Sequence, residues 1–564
     1  MAGQIWKGMK PMDYHALADL CFPQITASPQ EIEKKYPPRP LPEGAKVTRI
    51  APSPTGFMHL GNLFGAIADE RLAHQSGGVF YLRIEDTDQK RAVPGAVETI
   101  LRVFSDYGLP FDEGAGIEEE KGDYGPYRQR RRAEIYQTFA KWLVEQGKAY
   151  PCFCTEEELA QLRQQQEANK ENFGYYGKYA VHRDMPFEAV KEKITKGEPF
   201  VLRFRSPGDP QNRVKFTDLV KGNMEFPEND QDVVLLKSDG IPTYHFAHVV
   251  DDHLMGTTHV VRGEEWLATL PIHLQLFQAM GWKPPKYIHT AQLMKLDGGN
   301  KRKLSKRKDP ELALDYYKEQ GYCVEAVKEY LMTLLNSNFE DWRKANPQSP
   351  LEDFPFNTKK MGVSGALFDI DKLCDVSKNV ISRMDAQQVY ELLAQWAKEF
   401  DPPFYDLLAR DPDYTKRILS IGRGGKKPRK DIALWSGAKE YLNFFFDELF
   451  TPEYDWPEKI QPDDIEKILS QYQDLYDPAD NAEQWFDKVK NLSEALGYTA
   501  DMKAYKKDPS AFKGNVSDVS TVLRIAITGR CNSPDLREIM ELLGKERSIC
   551  RLNQALEAIK GGIS

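Results

Sequence analysis

From Lys46 onward the apolar positions fall into clear periods. Lys46–Ile50 and Val79–Ile84 are short apolar runs that predict strands, and between them Leu60, Phe64, Ile67 and Leu72 recur at helical spacing. Strand, helix and strand within about 40 residues predict a βαβ unit, hence a parallel sheet with a right-handed crossover. Arg131–Gly147 predicts helix and Tyr150–Asn229 is mixed. Strand patterns resume at Asp232–Lys237 and Thr258–Arg262, then a helix over Glu265–Met280 and strand material over Tyr287–Leu296. The two α/β stretches read as halves of one nucleotide-type fold, with Tyr150–Asn229 inserted between them. Beyond Pro310 the strand signal nearly vanishes. Val324–Leu335, Ala386–Glu399, Ile432–Leu449, Pro462–Leu475 and Pro534–Ile559 carry amphipathic helical patterns, so the last roughly 190 residues read as all-α. The first 45 residues are Pro-rich and poorly periodic, an extension wrapped on a domain or a partly mobile lead-in.

Composition narrows the class. At 564 residues and 64.6 kDa the chain is too long for one core; roughly 150 residues per domain predicts about four domains. With 41% apolar and 29% charged residues it is a globular chain and not a disordered one. No apolar run approaches the roughly 18 residues of a membrane span, and the first ten residues lack the apolar stretch of a secretory signal. Seven cysteines scattered from Cys21 to Cys550 make no disulfide framework, so reduced thiols in the cytoplasm are expected. The net charge of −9 argues against a histone-like positive coat, yet a local basic surface is sufficient for nucleic acid. Two runs offer one: 295–308 with seven basic residues and one acid, and 416–430 with seven and none.

Two constellations carry chemistry. The first, Arg49-Ile-Ala-Pro-Ser-Pro-Thr-Gly-Phe-Met-His59-Leu-Gly-Asn62, sits where the first strand gives way to the first helix. Free N–H groups and the helix dipole favour an anion there, and phosphate is the usual one. Pro52, Pro54 and Gly56 set a tight turn, Gly61 lets a flat ring or a phosphate come close, and His59 and Asn62 offer donors as charge develops. GxGxxG and a Walker-type lysine are both missing, so a dinucleotide enzyme or P-loop NTPase is not supported. The second is Lys303-Leu-Ser-Lys306-Arg307, three cations on a loop suited to closing over a triphosphate. Either alone is ordinarily a solvated turn; in this order and combination they are strong.

Together with their neighbours these residues resemble a class I aminoacyl-tRNA synthetase of the bacterial glutamyl type. His59-Leu-Gly-Asn62 resembles the family's His-Ile-Gly-His signature and Lys303–Arg307 its Lys-Met-Ser-Lys-Ser loop. Arg83-Ile-Glu-Asp-Thr-Asp88, Pro242-Thr-Tyr244-His, Val249–Met255, Arg262-Gly-Glu-Glu-Trp266, Ser364–Asp369 and Leu523–Arg530 follow in the family's order. The resemblance runs from about residue 46 to the C-terminus. It implies α/β plus all-α architecture: an N-terminal extension (1–45), a split Rossmann-type catalytic domain (46–149 and 231–310) around an inserted acceptor-end domain (150–230), a stem-contact helical domain (311–375) and a helical anticodon-binding region (376–564). It implies ligation of an amino acid to tRNA through an adenylate, with ATP and Mg²⁺. Catalysis would fall to His59, Lys303, Lys306 and Arg307, ATP binding to His59, Gly61, Asn62 and Lys306, and glutamate binding to Arg49, Ser53, Glu85, Tyr244, His248, Arg262 and Trp266. The implied partners are L-glutamate and tRNA(Glu), with tRNA(Gln) an open alternative; the family default is a monomer, away from membranes.

Glutamate and glutamine separate on two residues. Arg262 offers a planar fork for a side-chain carboxylate, and a buried guanidinium without an anion is costly, which favours glutamate. His248 pulls the other way, since the glutamate branch typically has Asn there and the glutamine branch His. A tRNA-modifying paralogue would lack the helical C-terminal half, and a non-catalytic descendant would not keep His59, Gly61, Lys306 and Arg307 together. Zinc is not expected: Cys152-Phe-Cys154 resembles half of a knuckle, but Tyr179 or His182 would complete a poor set. By the resemblance, 416–430 falls in the anticodon region, where a Gly-rich basic loop suits phosphate contacts. Arg524 and Arg530 read equally as base contacts or as internal salt bridges.

Overall fold

The structure is a computed structural model describing residues 12–54 and 57–561; Gly56, expected to shape the first turn, lies outside them. Two compact units are present: one runs to Tyr316 and takes in Lys328–Asp369, the other comprises Tyr317–Val327 and Ile370 onward.

The first unit opens with two short helices, α1 (Tyr14–Cys21) and α2 (Pro29–Lys35). The Asp13 side chain accepts from Ala16 N–H, and Ser28 and Glu31 form a reciprocal capping box. Two turns each are too few for a period to stand out in the sequence. Leu17, Phe22 and Ile32 nevertheless join a core with Tyr136, Phe139 and Leu143. Arg39 continues the strap, bidentate to Glu113 at 2.7 and 2.9 Å and lying over the Tyr124 ring.

The βαβ unit is β1 (Val47–Ile50), α3 (Leu60–His74) and β2 (Val79–Leu82), followed by α4 (Ala96–Asp106) and β3 (Glu113–Gly114); the three strands are parallel in that order. After α5 (Ala133–Glu145) comes the inserted region: β4 (Ala149–Cys152), α6 (Glu156–Ala168), α7 (Phe187–Thr195), β5 (Val201–Phe204) and a hairpin, β6 (Arg213–Asp218) with β7 (Gly222–Pro227). Strand β8 (Val234–Leu236), expected in the second catalytic half, instead pairs antiparallel with β5 and completes the inserted sheet.

The second half resumes with α8 (Tyr244–Leu254) and β9 (His259–Gly263). The expected helix over Glu265–Met280 divides: Glu264–Thr269 is a 3₁₀ turn, and α9 (Leu270–Met280) starts beside Pro271, which has no N–H to bond backward. The strand expected over Tyr287–Leu296 is also two, β10 (Lys286–Thr290) parallel to β9, and β11 (Leu293–Asp297) antiparallel to β12 (Asn300–Lys303). Thr258 joins the halves, its N–H donating to Val47 O and its hydroxyl oxygen accepting from Val47 N–H. The carboxyl ends of β1 and β9 thus border one cleft, as in other open parallel sheets.

The second unit is helical, with Ile370–Arg383, Ala386–Phe400, Pro462–Leu475, Ala482–Ala495 and Val516–Thr528 among its helices. Two expected helices are altered. Within Ile432–Leu449 the α-helix is confined to Ala438–Leu442, because Trp435 N–H bonds Gly321 O and the aromatic run Phe444–Phe446 turns inward. The last helix, Leu536–Gly561, breaks at Gly544, whose φ is 78°.

Candidate active site

A cleft of about 440 Å³ opens at the ends of β1 and β9. Its lining brings together Arg49, Ser53, His59, Gly61, Asn62, Glu85, Tyr244, Arg262, Trp266 and Lys303, ten of the residues named from sequence.

His59 and Asn62 cap α3 reciprocally. Asn62 N–H donates to His59 Nδ1 at 3.3 Å, and His59 N–H donates to Asn62 Oδ1 at 3.0 Å. With Nδ1 accepting, the ring proton sits on Nε2 as a donor. Burial pushes the imidazole below its usual range, with Lys303 and Lys306 adding to the effect, so the ring is neutral near pH 7. A Cβ on Gly61 would lie 3.0 Å from His59 Nδ1 and 3.1 Å from Cε1. The glycine is needed first by its own neighbour, the histidine ring folded over the helix start.

The floor of the cleft is charged in a particular way. Arg262 is 8% exposed. Its Nε donates to His289 Nε2 at 2.9 Å, Nη1 to the Tyr244 hydroxyl and His273 Nδ1 at 3.2 and 3.1 Å, and Nη2 to the Trp266 carbonyl at 3.4 Å. All of these acceptors are neutral: burial depresses His273 well below, and His289 below, the usual imidazole range. Among the described residues no carboxylate ion-pairs with Arg262, so its charge faces the cleft with only neutral protein partners. Tyr244 and Trp266 pack at 4.5 Å between ring centroids to form the wall beside it.

Across the cleft the cations are compensated. Arg49 Nε lies 3.1 Å from Asp252 Oδ1, Arg83 Nη1 lies 2.7 Å from the same oxygen, and Arg132 Nε lies 2.7 Å from Asp251 Oδ1. All five are buried. Burial opposes ionisation of Asp252, but Arg49 and Arg83 hold its carboxyl well below the usual range. Glu85 ends the row, 3.2 Å from Arg83 Nη2 and facing the cleft, with burial raising its carboxyl. Sequence reading missed Asp251, Asp252, His273 and His289. The first two stand in the quoted stretch Val249–Met255, but nothing local marks them as partners of distant arginines.

Three named residues lie off the cleft lining. His248 is fully buried on the inner face of α8, 2.8 Å from Asp252 and 3.0 Å from the Tyr287 hydroxyl, so it supports the wall from behind and has no open path to a ligand. Lys306 reaches over the Phe57 ring at 3.8 Å, and Arg307 is exposed beside it. Their loop is pinned by Asp309, which takes both Arg302 Nη atoms at 2.6 and 2.8 Å and Ser305 N–H at 2.8 Å. That leaves Lys303, Lys306 and Arg307 exposed while Arg302 is consumed structurally.

Residues 46–359 match the family described as tRNA synthetases class I (E and Q), catalytic domain, more than half of the chain, and residues 388–556 match an anticodon binding domain. The chain belongs to this class I synthetase family. It is 56% identical to the glutamate–tRNA ligase of Acetivibrio thermocellus over 97% of this chain and 100% of that one. It is 50% identical to that of Clostridium perfringens over 95% and 99%. A crystal structure of the glutamate tRNA ligase of Elizabethkingia meningosepticum with its amino acid superposes at a TM-score of 0.72 and 29% identity, covering 91% of this chain and 99% of that one. The fold class read from sequence stands, and membership of the family implies use of ATP. Among the described residues no helix is long and apolar enough to cross a membrane.

Two further regions of this synthetase bear on ligands. In the inserted region Cys152 and Cys154 converge with His182, whose Nδ1 lies 3.7 and 3.4 Å from the two sulfurs. The Tyr175 hydroxyl lies 3.4 and 3.5 Å from them. Tyr179, the tyrosine considered from sequence, is turned away to Glu171 and Asn169. In the second unit the run 416–430 is only partly free: Lys416 pairs with Asp413, Arg429 with Asp431, and Arg423 folds onto Leu419 O and Ile381 O, while Arg417, Lys426, Lys427 and Lys430 are exposed. Arg524 donates to Ser533 and to Pro534 O, and Arg530 to Glu440 O and Asn443. Among the described residues neither forms a salt bridge, and both brace the helical core through carbonyl, hydroxyl and amide oxygens.

Proposed function

We propose that the chain ligates L-glutamate to tRNA(Glu) in two steps at this cleft. The observation that carries the choice of amino acid is Arg262, a buried guanidinium whose protein partners are all neutral. A substrate side-chain carboxylate completes that charge; a carboxamide would leave it unpaired, at a cost of several kcal/mol. Glu85, which faces the same cleft, would take the α-ammonium.

In the first step a carboxylate oxygen of glutamate attacks the α-phosphorus of ATP, and the bond to the bridging oxygen of pyrophosphate breaks. The nucleophile is already ionised, so no general base is needed and catalysis is positional and electrostatic. His59 Nε2–H, the first N–H groups of α3 and the cations Lys303, Lys306 and Arg307 stabilise charge as it moves onto pyrophosphate. In the second step a terminal ribose hydroxyl of tRNA attacks the acyl carbon and AMP leaves. ATP arrives with Mg²⁺, and the work is done in the cytoplasm, where these substrates meet.

No zinc is needed for this reading: Cys152, Cys154, His182 and Tyr175 make a knuckle held by its own hydrogen bonds, in which His182 Nδ1 accepts from Phe153 N–H and the fourth group is a tyrosine hydroxyl, not a usual zinc donor. The sequence expected no zinc here, with Tyr179 or His182 beside the two cysteines a poor set, and Tyr175 in the place of Tyr179 does not improve it.

The reading is tested by offering purified tRNA(Glu) and tRNA(Gln), separately, glutamate or glutamine with ATP and Mg²⁺. Glutamate on tRNA(Glu) alone is expected; glutamate on both tRNAs keeps the amino-acid site and relaxes tRNA choice. Preferred glutamine would overturn the reading of Arg262.

A further inference from the structure

Arg262 does not hold itself. Its Nε–H points at His289 Nε2, 2.9 Å away, and His289 Nδ1 lies 2.7 Å from Asp218 Oδ2. Asp218 is the last residue of β6, on the hairpin between the two catalytic halves and 44 positions before Arg262. His289 is on β10 and fully buried, and Asp218 is 1% exposed. Asp218 is saturated with donors: Oδ1 accepts from Val220 N–H and Lys221 N–H at 2.9 and 2.8 Å, and Oδ2 accepts from the His289 ring and its N–H. Burial works against the carboxylate, but the bonds from His289 and from the backbone of Lys221 and Val220 hold it below the usual range, so it is ionised. An ionised Asp218 fixes the ring proton on Nδ1. Nε2 is then a bare lone pair, which is the one state that accepts from a guanidinium.

We infer that Asp218 and His289 are positioning residues for amino-acid selection: the inserted hairpin, through one histidine tautomer, aims Arg262 at the substrate side chain. Asp218 also supplies the negative charge that Arg262 lacks at its own contacts, one imidazole away. The ring keeps that charge off the cleft face, where a carboxylate paired directly to Arg262 would occupy the place of the substrate. The inference rests on the reading of Arg262 as the carboxylate partner.

Asp218→Asn is the direct probe. Asn has one acceptor oxygen for a site where all the donors are N–H groups. If the oxygen stays on Val220 and Lys221, the amide N–H₂ faces His289, drives the ring proton to Nε2 and sets donor against donor at Arg262. His289→Phe removes the acceptor, and His289→Gln restores one, with an amide that can still donate to Asp218. Arg262→Lys tests the underlying reading.

Each variant is made in the full chain and assayed by aminoacylation of tRNA(Glu), with KM for glutamate, KM for ATP, kcat, and discrimination against glutamine measured together. Arg262→Lys is expected to erode discrimination; if it does not, the reading of Arg262 fails, whatever the others do. With that result in hand, Asp218→Asn and His289→Phe are each expected to raise KM for glutamate about tenfold, the worth of one hydrogen bond to a charged group, and to lower discrimination. KM for ATP should stay within about twofold. His289→Gln should recover most of the loss relative to His289→Phe. Unchanged glutamate KM and discrimination in both variants would overturn the inference. So would equal rises in the KM values for ATP and glutamate, or a His289→Gln no better than His289→Phe, each marking a general loss of structure. If Asp218→Asn does not fold, the His289 pair alone decides.

Discussion

One methyl group at Gly61 separates two roles for the first motif. A Cβ there meets His59 Nδ1 at 3.0 Å, and that nitrogen is held in place by Asn62 N–H. Gly61→Ala therefore pushes the ring out of its cap and frees the proton to sit on either nitrogen. Losing the cap costs about 1 kcal/mol and alanine in a first helical turn returns about as much, so the melting temperature should hardly move. Aminoacylation kcat should nevertheless fall, by about tenfold or more if the Nε2 donor acts on the leaving phosphates. KM for glutamate should stay put, since Arg262 and Glu85 are untouched. Wild-type kcat in this variant would mean that the histidine serves α3 and not ATP. On the proposed reading Arg262 makes the same point from the other side of the cleft: its charge among neutral partners would be a binding energy held in reserve for an anion, not a contribution to folding.

Among the elements, the inserted region offers a metal test. Cys152 and Cys154 come from the end of β4 and the turn beyond it, Tyr175 and His182 from the loop between α6 and α7. If zinc joins them, protein purified without chelator should carry about one ion per chain, and Cys154→Ser should lose it. Aminoacylation should then fall less than the thermal stability of the fold. Zinc below a tenth of an equivalent is the expected result, with the knuckle held by its own hydrogen bonds. The sequence displayed this region poorly because its donors stand at irregular spacing, 152, 154, 175 and 182. It displayed β1, α3 and β2 well, because each is a contiguous run rich in buried apolar residues, short in the strands and at helical spacing in α3. Periodicity misled at Ile432–Leu449, where apolar residues recur at helical spacing although the backbone bonds elsewhere. The motifs around His59 and Lys303–Arg307 were legible since each is contiguous. The relay through Asp218, Arg262 and His289 was not, for its members meet only when the inserted hairpin folds against β10.

Over the whole molecule, the charge is negative while the larger substrate is a polyanion. With 85 acidic against 76 basic residues, tRNA cannot be gathered by net charge and must be held by local cations. In the anticodon-binding match, residues 388–556, the exposed members of the basic run are Arg417, Lys426, Lys427 and Lys430. Cations that neutralise phosphates release counterions, so KM for tRNA should climb steeply with salt on a log–log plot. Replacing the four by alanine should lower that slope by about one for each phosphate left without its cation. On the proposed reading glutamate behaves differently, because its carboxylate would meet Arg262 inside a buried site, where screening over a Debye length of about 8 Å has little purchase. KM for glutamate should therefore rise far less over the same salt range, and should be the same in the quadruple variant as in the wild type. A salt slope unchanged by the four substitutions would place the phosphate-binding cations elsewhere on the helical unit. A glutamate KM that climbed in step with that of tRNA would mean the amino-acid site is more open to solvent than the burial of Arg262 allows.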